Sequence, residues 1–382
     1  MKYRKLGRSG IEVSEVGLGC EWLQGKEYDV VEATIDEAIK HGINIFDVFM
    51  CEPDVRTNIG RALKGRREKA IIQGHIGSAW VDGQYKRARE LGEVKTAFED
   101  LLSRLQTDYI DIGMIHFVDT DEDFEKIFSG PFIEYVKQLK ADGVIKTIGL
   151  SSHVASVAQK AIETDLIDVL MFSTNPMFDL MPGDMQLDDV FDDKKRDAAV
   201  LNKLDPKRME LYRCCEEHGT AITVMKAFMA GRLLKAEATP LGQVLTIPQC
   251  INFALSRPAV ASVLPGCFTR EHVREVVAYT NTTDEERDFS AALAKTATYS
   301  AKGQCVYCNH CLPCPARIDI GAVNKYIDLA NASKQVPATV REHYKALPAN
   351  ASDCTACGAC EKQCPFDVPV IKRMKEAVAL LR

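Results

Sequence analysis

Two cysteine motifs near the C-terminal end of the sequence limit its possible architecture more than any other feature. Eight of the 14 cysteines fall between Cys305 and Cys364. The first motif has the spacing C-x2-C-x2-C-x2-C-P, and the second has the spacing C-x2-C-x2-C-x3-C-P. A chain of 382 residues is much longer than the small secreted scaffolds that disulfides stabilise. The clustering therefore predicts a small metal-binding or redox module attached to a larger body.

The spacing of the second motif is the one by which bacterial ferredoxins bind [4Fe–4S] clusters. Three cysteines of such a motif ligate one cluster, and the fourth, which precedes a proline, ligates the other. Applied to both motifs, this pattern predicts two clusters. The first would be held by Cys305, Cys308, Cys311 and Cys364. The second would be held by Cys354, Cys357, Cys360 and Cys314. Zinc is the alternative, but a four-coordinate zinc ion would use the third cysteine of each motif awkwardly.

The body of the chain shows short apolar runs that alternate with helical periodicity. We predict eight strands, at residues 13–18, 43–46, 70–74, 110–115, 144–150, 167–172, 221–225 and 260–264. A helix is predicted where the apolar residues recur at helical spacing: Val94, Phe98, Leu101, Leu102 and Leu105. Strands that alternate with helices favour an α/β fold, a TIM (β/α)8 barrel. A doubly wound open sheet is disfavoured, because only Gly17-Leu18-Gly19 resembles its glycine-rich turn.

The domain organisation follows from these two patterns. We predict a barrel over residues 1–282, which begins with a small hairpin, then a helical linker over 283–300. A ferredoxin-type domain is predicted over 301–382. That domain should be small and α-helical, because two helix-like stretches separate the cysteine motifs, at 320–332 and 339–346.

Composition and charge exclude several classes of partner. The net charge is −6, and the sequence has no basic block, so we expect no nucleic-acid partner. The apolar runs are shorter than the roughly 20 residues that a membrane span needs. The first residues lack the apolar core of a signal peptide. We therefore expect a cytoplasmic protein that does not bind membranes.

Several segments together resemble the aldo/keto reductase family, in particular its branch fused to a C-terminal ferredoxin domain. Gly42-Ile-Asn-Ile-Phe-Asp47 resembles the family's second strand, and Tyr109-Ile-Asp-Ile-Gly-Met-Ile-His116 its fourth. Leu264-Pro-Gly266 resembles the eighth. The resemblance implies an oxidoreductase that acts on a small organic substrate such as a carbonyl compound.

The resemblance also implies a catalytic tetrad of Asp, Tyr, Lys and His, of which this sequence keeps two members. Asp47 and His116 match, whereas Glu52 falls at the Tyr position and His75 at the Lys position. We predict these four residues as the catalytic group, with a histidine replacing the tyrosine as proton donor. A metal site formed by Glu52, His75 and His116 with Cys51 is an alternative.

The positions that bind the nicotinamide cofactor in the family are altered too. The carboxamide-binding glutamine is replaced by Met171. The expected cofactor-binding positions are Ser151, Ser152, Lys226, Gly266 and Glu275. They lack the basic residues that recognise the 2′-phosphate of NADPH. The sequence therefore leaves open whether NADH, NADPH or neither binds.

Three functions remain possible from the sequence. The first is an aldo/keto reductase-like iron–sulfur oxidoreductase that passes electrons through its clusters, with a small-molecule substrate and a redox partner protein. The second is a ferredoxin-like electron carrier or assembly subunit whose barrel is not catalytic. The third is an acid–base barrel enzyme whose clusters are structural.

Overall fold

The computed structural model describes residues 1–199, 204–294, 302–332 and 335–381. They form two compact units. The first, called here the barrel unit, comprises Met1–Ser173, Thr220–Ala227 and Ala261–Thr280. The second, called here the cysteine unit, comprises Thr174–Gly219, Phe228–Val260 and Asn281–Arg382. The domain boundaries at 282 and 300 stay predictions, and residues 295–301, around the second boundary, lie outside the described residues.

The barrel unit is built on eight parallel strands that alternate with helices. The strands of the molecule, in chain order, are β1 (Tyr3–Lys5), β2 (Glu12–Ser14), β3 (Leu18–Gly19), β4 (Ile45–Val48), β5 (Ile71–Ile76), β6 (Ser78–Val81), β7 (Gln84–Arg87), β8 (Ile110–Ile115), β9 (Ile145–Ser152), β10 (Val169–Ser173), β11 (Ala221–Met225) and β12 (Val260–Val263). The sheet has the order β12-β11-β10-β9-β8-β5-β4-β3. The other four strands form two antiparallel hairpins, β1–β2 and β6–β7.

Two parallel bridges close the sheet into a barrel, as predicted. They join Val16 to Val263 and Gly19 to Gly266. A glycine at position 19 suits this close approach, because a Cβ atom would lie 3.1 Å from the carbonyl oxygen of Leu264. The prediction of one strand over 13–18 was wrong, because Val13 belongs to the β1–β2 hairpin. The apolar alternation runs through both strands and does not mark the break between them.

The helices begin and end close to the predicted patterns. In chain order they are α1 (Tyr28–Lys40), α2 (Pro53–Ala62), α3 (Leu91–Leu105), α4 (Asp121–Phe128), α5 (Pro131–Ala141), α6 (Ala155–Ile162), α7 (Leu187–Phe191), α8 (Asp193–Ala199), α9 (Pro206–His218), α10 (Ile247–Ser256), α11 (Arg270–Val277), α12 (Asp284–Arg287), α13 (Ser290–Ala294), α14 (Ile320–Asn331), α15 (Ala338–Lys345), α16 (Ala359–Gln363) and α17 (Val370–Leu381). Helix α3 buries four of the five predicted apolar residues. Helices α14 and α15 confirm the two helix-like stretches between the cysteine motifs. No helix in the described ranges is both long and apolar enough to cross a membrane.

The three segments of the cysteine unit share one hydrophobic core. Phe178 comes from the first segment, Phe253 from the second, and Val323 and Leu381 from the third; all four are buried in the same cluster. The segments are therefore held together by apolar packing.

A buried polar group also links these segments. The Asp179 carboxylate lies 3.6 Å from the guanidinium groups of both Arg208 and Arg257. Tyr212 donates a hydrogen bond of 3.2 Å to the same carboxylate. Arg257 also donates to the backbone carbonyl of Val306. Burial raises the pKa of Asp179, and the two arginines oppose that effect.

Candidate functional site

Three strands bring titratable side chains to one end of the barrel. Asp47 lies in β4, His75 lies in β5, and His116 directly follows β8. The three strands are parallel neighbours in the sheet, so their carboxyl ends meet at the same edge. All three side chains are buried. The structure thus brings three of the four predicted catalytic residues together.

Hydrogen bonds join these side chains into a chain that ends on a tyrosine. The Asp47 carboxylate lies 3.1 Å from Nε2 of His75. The two histidines face each other with 2.8 Å between their Nδ1 atoms. Nε2 of His116 lies 2.7 Å from the hydroxyl of Tyr85. We call this series Tyr85–His116–His75–Asp47 the tyrosine relay.

The direction of the hydrogen bonds follows from what each group can donate. A carboxylate only accepts, so His75 carries its proton on Nε2 and accepts at Nδ1. His116 then carries its proton on Nδ1, and its Nε2 accepts from the Tyr85 hydroxyl. Burial, and then the neighbouring His75, hold the pKa of His116 well below its usual value, which keeps this ring neutral. Burial raises the pKa of Tyr85 to about 12, so its hydroxyl stays protonated.

Tyr85 was missed in the sequence analysis. It lies in the β6–β7 hairpin, which is inserted after the barrel strand β5. An Asp82-Gly83 turn between two aromatic residues is a strong hairpin signal, and a hairpin in a βα loop of a barrel faces the active-site end. Phe49 holds the group in place: its ring is stacked on His116 at 5.6 Å and meets Tyr85 edge-on at 6.4 Å.

A second hydrogen-bonded series lies in the same unit. Nδ1 of His153 lies 2.9 Å from the carboxylate of Asp119, and Nε2 of His153 lies 3.0 Å from Nζ of Lys226. His153 and Asp119 are buried, whereas Lys226 is partly exposed. Sequence analysis had singled out only Lys226. The other two come from different βα loops, which no local pattern connects.

Glu52 does not take part in either series within the contacts that the structure describes. Its carboxylate accepts a hydrogen bond of 2.8 Å from the backbone amide of Val55, which caps the N-terminus of α2. The thiol of its neighbour Cys51 donates to the carbonyl of Ala79 at 2.9 Å. No three His, Cys, Asp or Glu side chains of the described residues are placed as metal ligands, here or elsewhere. The alternative metal site at Cys51 therefore gains no support.

The predicted cofactor positions are mostly engaged within the protein. The Ser151 hydroxyl accepts from the backbone amide of Phe117 at 2.8 Å. The Ser152 hydroxyl donates to Asp119 at 3.1 Å. The indole of Trp22 covers Gly266 so closely that a Cβ atom there would lie 2.1 Å from it. Glu275 is exposed on α11.

These positions do not fit a nicotinamide. The Ser152 hydroxyl donates to Asp119, and the thioether of Met171, at the family's carboxamide-binding position, cannot donate a hydrogen bond to a carboxamide. A nicotinamide therefore has no part in the reaction proposed for this protein.

Four cysteines from the two motifs line one cavity of the cysteine unit. These cysteines are Cys305, Cys308, Cys311 and Cys364. This is the set predicted for the first cluster. Burial raises the pKa of Cys305 to about 12 and that of Cys308 to about 11, so both are protonated thiols when no metal binds. Soft sulfur donors from four cysteines are the ligands that iron–sulfur clusters use. The donor set therefore fits such a group by its chemistry, although the four thiols are not arranged as metal ligands in this structure.

The cysteines predicted for the second cluster are less enclosed. Cys314, Cys354 and Cys360 are partly buried against the core of the cysteine unit, and Cys357 is exposed. Burial is the main cause that raises the pKa of Cys360, and the nearby Cys354 raises it further. The assignment of these four as one ligand set stays a prediction.

Comparisons with known proteins agree with the barrel. Residues 15–244 match the aldo/keto reductase family. The Bacillus subtilis (strain 168) protein named "Uncharacterized oxidoreductase YqkF" is 28% identical, over 79% of this chain and 99% of its own length. "Aldo-keto reductase YhdN" of the same organism is 29% identical, over 40% of this chain and 47% of its own.

A solved structure shows the same fold. The aldo-keto reductase AKR11C1 from Bacillus halodurans, in its holo form, superposes with a TM-score of 0.59 and 25% identity. The superposition covers 75% of this chain and 94% of that one. The family match itself spans more than half of the sequence. This chain therefore belongs to the aldo/keto reductase family, and it is an oxidoreductase.

Proposed function

We propose that the protein reduces a small carbonyl compound with electrons that a redox partner protein delivers through two [4Fe–4S] clusters. The observation that carries the proposal is the cavity lined by Cys305, Cys308, Cys311 and Cys364. Three of these come from one motif and the fourth from the other, as the interleaved ferredoxin pattern requires. Clusters bound at the two motifs would supply single electrons.

The barrel residues would supply the protons. Reduction of a carbonyl to an alcohol consumes two electrons and two protons. The Tyr85 side chain is 41% exposed, so its hydroxyl can reach a substrate at the mouth. When that hydroxyl gives its proton to the carbonyl oxygen, solvent restores the proton, because Tyr85 is exposed and Nε2 of His116 is an acceptor with no proton to return. The rest of the tyrosine relay orients the hydroxyl through the imidazole of His116, which Asp47 holds in place through His75.

Iron content tests the cluster assignment. We expect anaerobically purified protein to contain about eight iron and eight sulfide per chain. Because Cys364 is the predicted fourth ligand of the first cluster, Cys364→Ala should lower the iron content by about half. Cys250→Ala is the matched control, since Cys250 is a buried cysteine of the same core outside both motifs. Unchanged iron in Cys364→Ala, or zinc in place of iron, would contradict the proposal.

Electron transfer to substrate tests the function as a whole. Protein reduced with dithionite is mixed anaerobically with small aldehydes and ketones, and the visible absorbance of the clusters is followed. We expect reoxidation coupled to formation of the alcohol. If only a partner protein reoxidises the clusters, the molecule is an electron carrier with a non-catalytic barrel. If turnover does not depend on cluster reduction, the clusters are structural.

A further inference from the structure

We propose that Lys226 is a nucleophilic amine that forms a Schiff base with an aldehyde or ketone. In this proposal His153 is the base that accepts its proton, and Asp119 positions His153. The site lies in the barrel unit, uses none of the residues of the tyrosine relay, and requires no cluster. It therefore goes beyond the proposed reductase activity and does not depend on it.

The geometry is that of an activated nucleophile. The amine of Lys226 lies 3.0 Å from Nε2 of His153, and Nδ1 of the same ring lies 2.9 Å from Asp119. A nucleophile bonded to a base, which is oriented by an acid in turn, is the arrangement that enzymes use to activate weak nucleophiles. Because Asp119 accepts at Nδ1, the proton of the ring is on Nδ1, and the lone pair of Nε2 faces the amine.

Asp119 is held in place by two further hydrogen bonds. Its second oxygen accepts from the backbone amide of His153 at 2.8 Å and from the Ser152 hydroxyl at 3.1 Å. Both carboxylate oxygens are therefore occupied. The ring of Phe117 packs on His153 with 4.9 Å between centroids, which fixes the plane of the imidazole.

The charge states of the pair favour the reaction. Burial lowers the pKa of Lys226, and the nearby carboxylates of Glu21, Asp119 and Asp47 oppose that effect. Burial also lowers the pKa of His153, and the hydrogen bond that His153 donates to Asp119 opposes that effect. A neutral imidazole can take a proton from the amine, and a desolvated lysine is more readily neutral than one in water.

The location and backbone conformation of Lys226 are also typical of a functional residue. Lys226 directly follows the barrel strand β11, at the end where barrel enzymes place their chemistry. Its φ angle is 59°, in the left-handed region that residues with a Cβ atom rarely adopt. Such conformations concentrate at functional sites. Lys226 is partly exposed as a residue, while burial of its amine is the main cause that lowers its pKa.

The reaction balances without an oxidant or reductant. Nζ of the neutral lysine attacks the carbonyl carbon, a C–N bond forms, and the C=O electron pair moves to oxygen. His153 accepts one proton from the nitrogen and delivers it to the oxygen, which becomes a hydroxyl group. It then accepts the second proton of the nitrogen and delivers it to that hydroxyl, which leaves as water while the C=N bond forms. The product is an imine between Lys226 and the carbonyl carbon.

Reductive trapping tests the proposal on the full-length protein. The protein is incubated with acetaldehyde and sodium cyanoborohydride at pH 7, and ethylated lysines are quantified by peptide mass spectrometry. We expect Lys226 to react about tenfold faster or more than Lys64, an exposed lysine of the same unit. Its rate should also reach a plateau at a lower pH than the rate of Lys64. This comparison uses only the wild-type chain. Equal rates and equal pH profiles at the two lysines would overturn the proposal.

Two variants test the roles of the neighbours. His153→Gln and Asp119→Asn should each slow the labelling of Lys226 about tenfold and change its pH profile, with Lys64 unchanged. Labelling of Lys226 at the wild-type rate in both folded variants would overturn the assigned roles. Circular dichroism verifies that each variant is folded.

Discussion

At the residue scale, the tyrosine relay explains how the site could work without the family's own tyrosine and lysine. Both nitrogens of His75 and both of His116 are already engaged in hydrogen bonds. Neither ring can give a proton to a substrate directly. The exposed end of the series is the hydroxyl of Tyr85, and we assign the role of proton donor to it. The histidines, which the sequence suggested as donors, then act through Tyr85.

Replacement of Tyr85 tests this assignment. We expect Tyr85→Phe to lower kcat for carbonyl reduction about 100-fold or more, because phenylalanine has no proton to donate. The measurement is anaerobic steady-state turnover. Tyr28→Phe, which removes a hydroxyl paired with Glu32 on α1, is the control and should keep its activity. A Tyr85→Phe enzyme with normal kcat would show that a different group protonates the substrate.

At the element scale, Glu52 caps the N-terminus of helix α2. It precedes Pro53 at the first position of α2 and accepts from Val55, which satisfies one of the amides left free at a helix start. A residue five positions after Asp47 falls at the family's tyrosine position in the sequence. The side chain of this residue, Glu52, nevertheless caps α2. The position of Glu52 in the sequence alone does not show whether its carboxylate is catalytic or caps a helix.

Two substitutions at Glu52 separate the possible roles. Glu52→Ala removes the cap and should lower the free energy of unfolding by about 1 kcal/mol. Glu52→Gln keeps an oxygen acceptor, so both its stability and its kcat should stay close to wild type. Denaturant unfolding and turnover assays check the two expectations. A large loss of kcat in a stable Glu52→Gln enzyme would restore a catalytic role.

The elements themselves were largely predictable, whereas the site was only partly so. Apolar spacing identifies α3, because one face of a helix must be buried, and strand ends identify Asp47 and His116. The residues that pair in the two hydrogen-bonded series come from distant parts of the chain. Tyr85 is 31 residues from His116, and His153 is 73 residues from Lys226. The order of the parallel strands in the sheet brings such groups together, so no local pattern predicts their contacts.

At the scale of the whole molecule, one ion pair joins the first and last helices of the barrel unit. Arg274 of α11 donates two hydrogen bonds, of 2.9 and 3.0 Å, to the carboxylate of Glu37 on α1. In the described residues, two isolated bridges close the sheet between its first and last strands. The hydrogen bond from Arg274 is the main cause that lowers the pKa of Glu37 to about 2.

The low pKa of Glu37 predicts a dependence of stability on pH. A carboxyl group whose pKa is lower in the folded than in the unfolded state stabilises the fold above its ordinary value of 4.5. That contribution is lost as the pH falls towards about 2. Urea midpoints measured across this range should fall less steeply in Glu37→Gln than in the wild type. Glu27→Gln, at an exposed residue just before α1, is the control. Identical slopes in wild type and Glu37→Gln would contradict the prediction.

The shared core of the cysteine unit has a consequence for the synthesis of the protein. Phe178 and Phe253 leave the ribosome long before Leu381, yet all three are buried in one apolar cluster. Until the last helix has been synthesised, the early segments therefore cannot complete this core, and their apolar side chains stay in contact with water. We infer that this half of the molecule completes its folding only after translation has passed Leu381, and that nascent chains depend on chaperones until then.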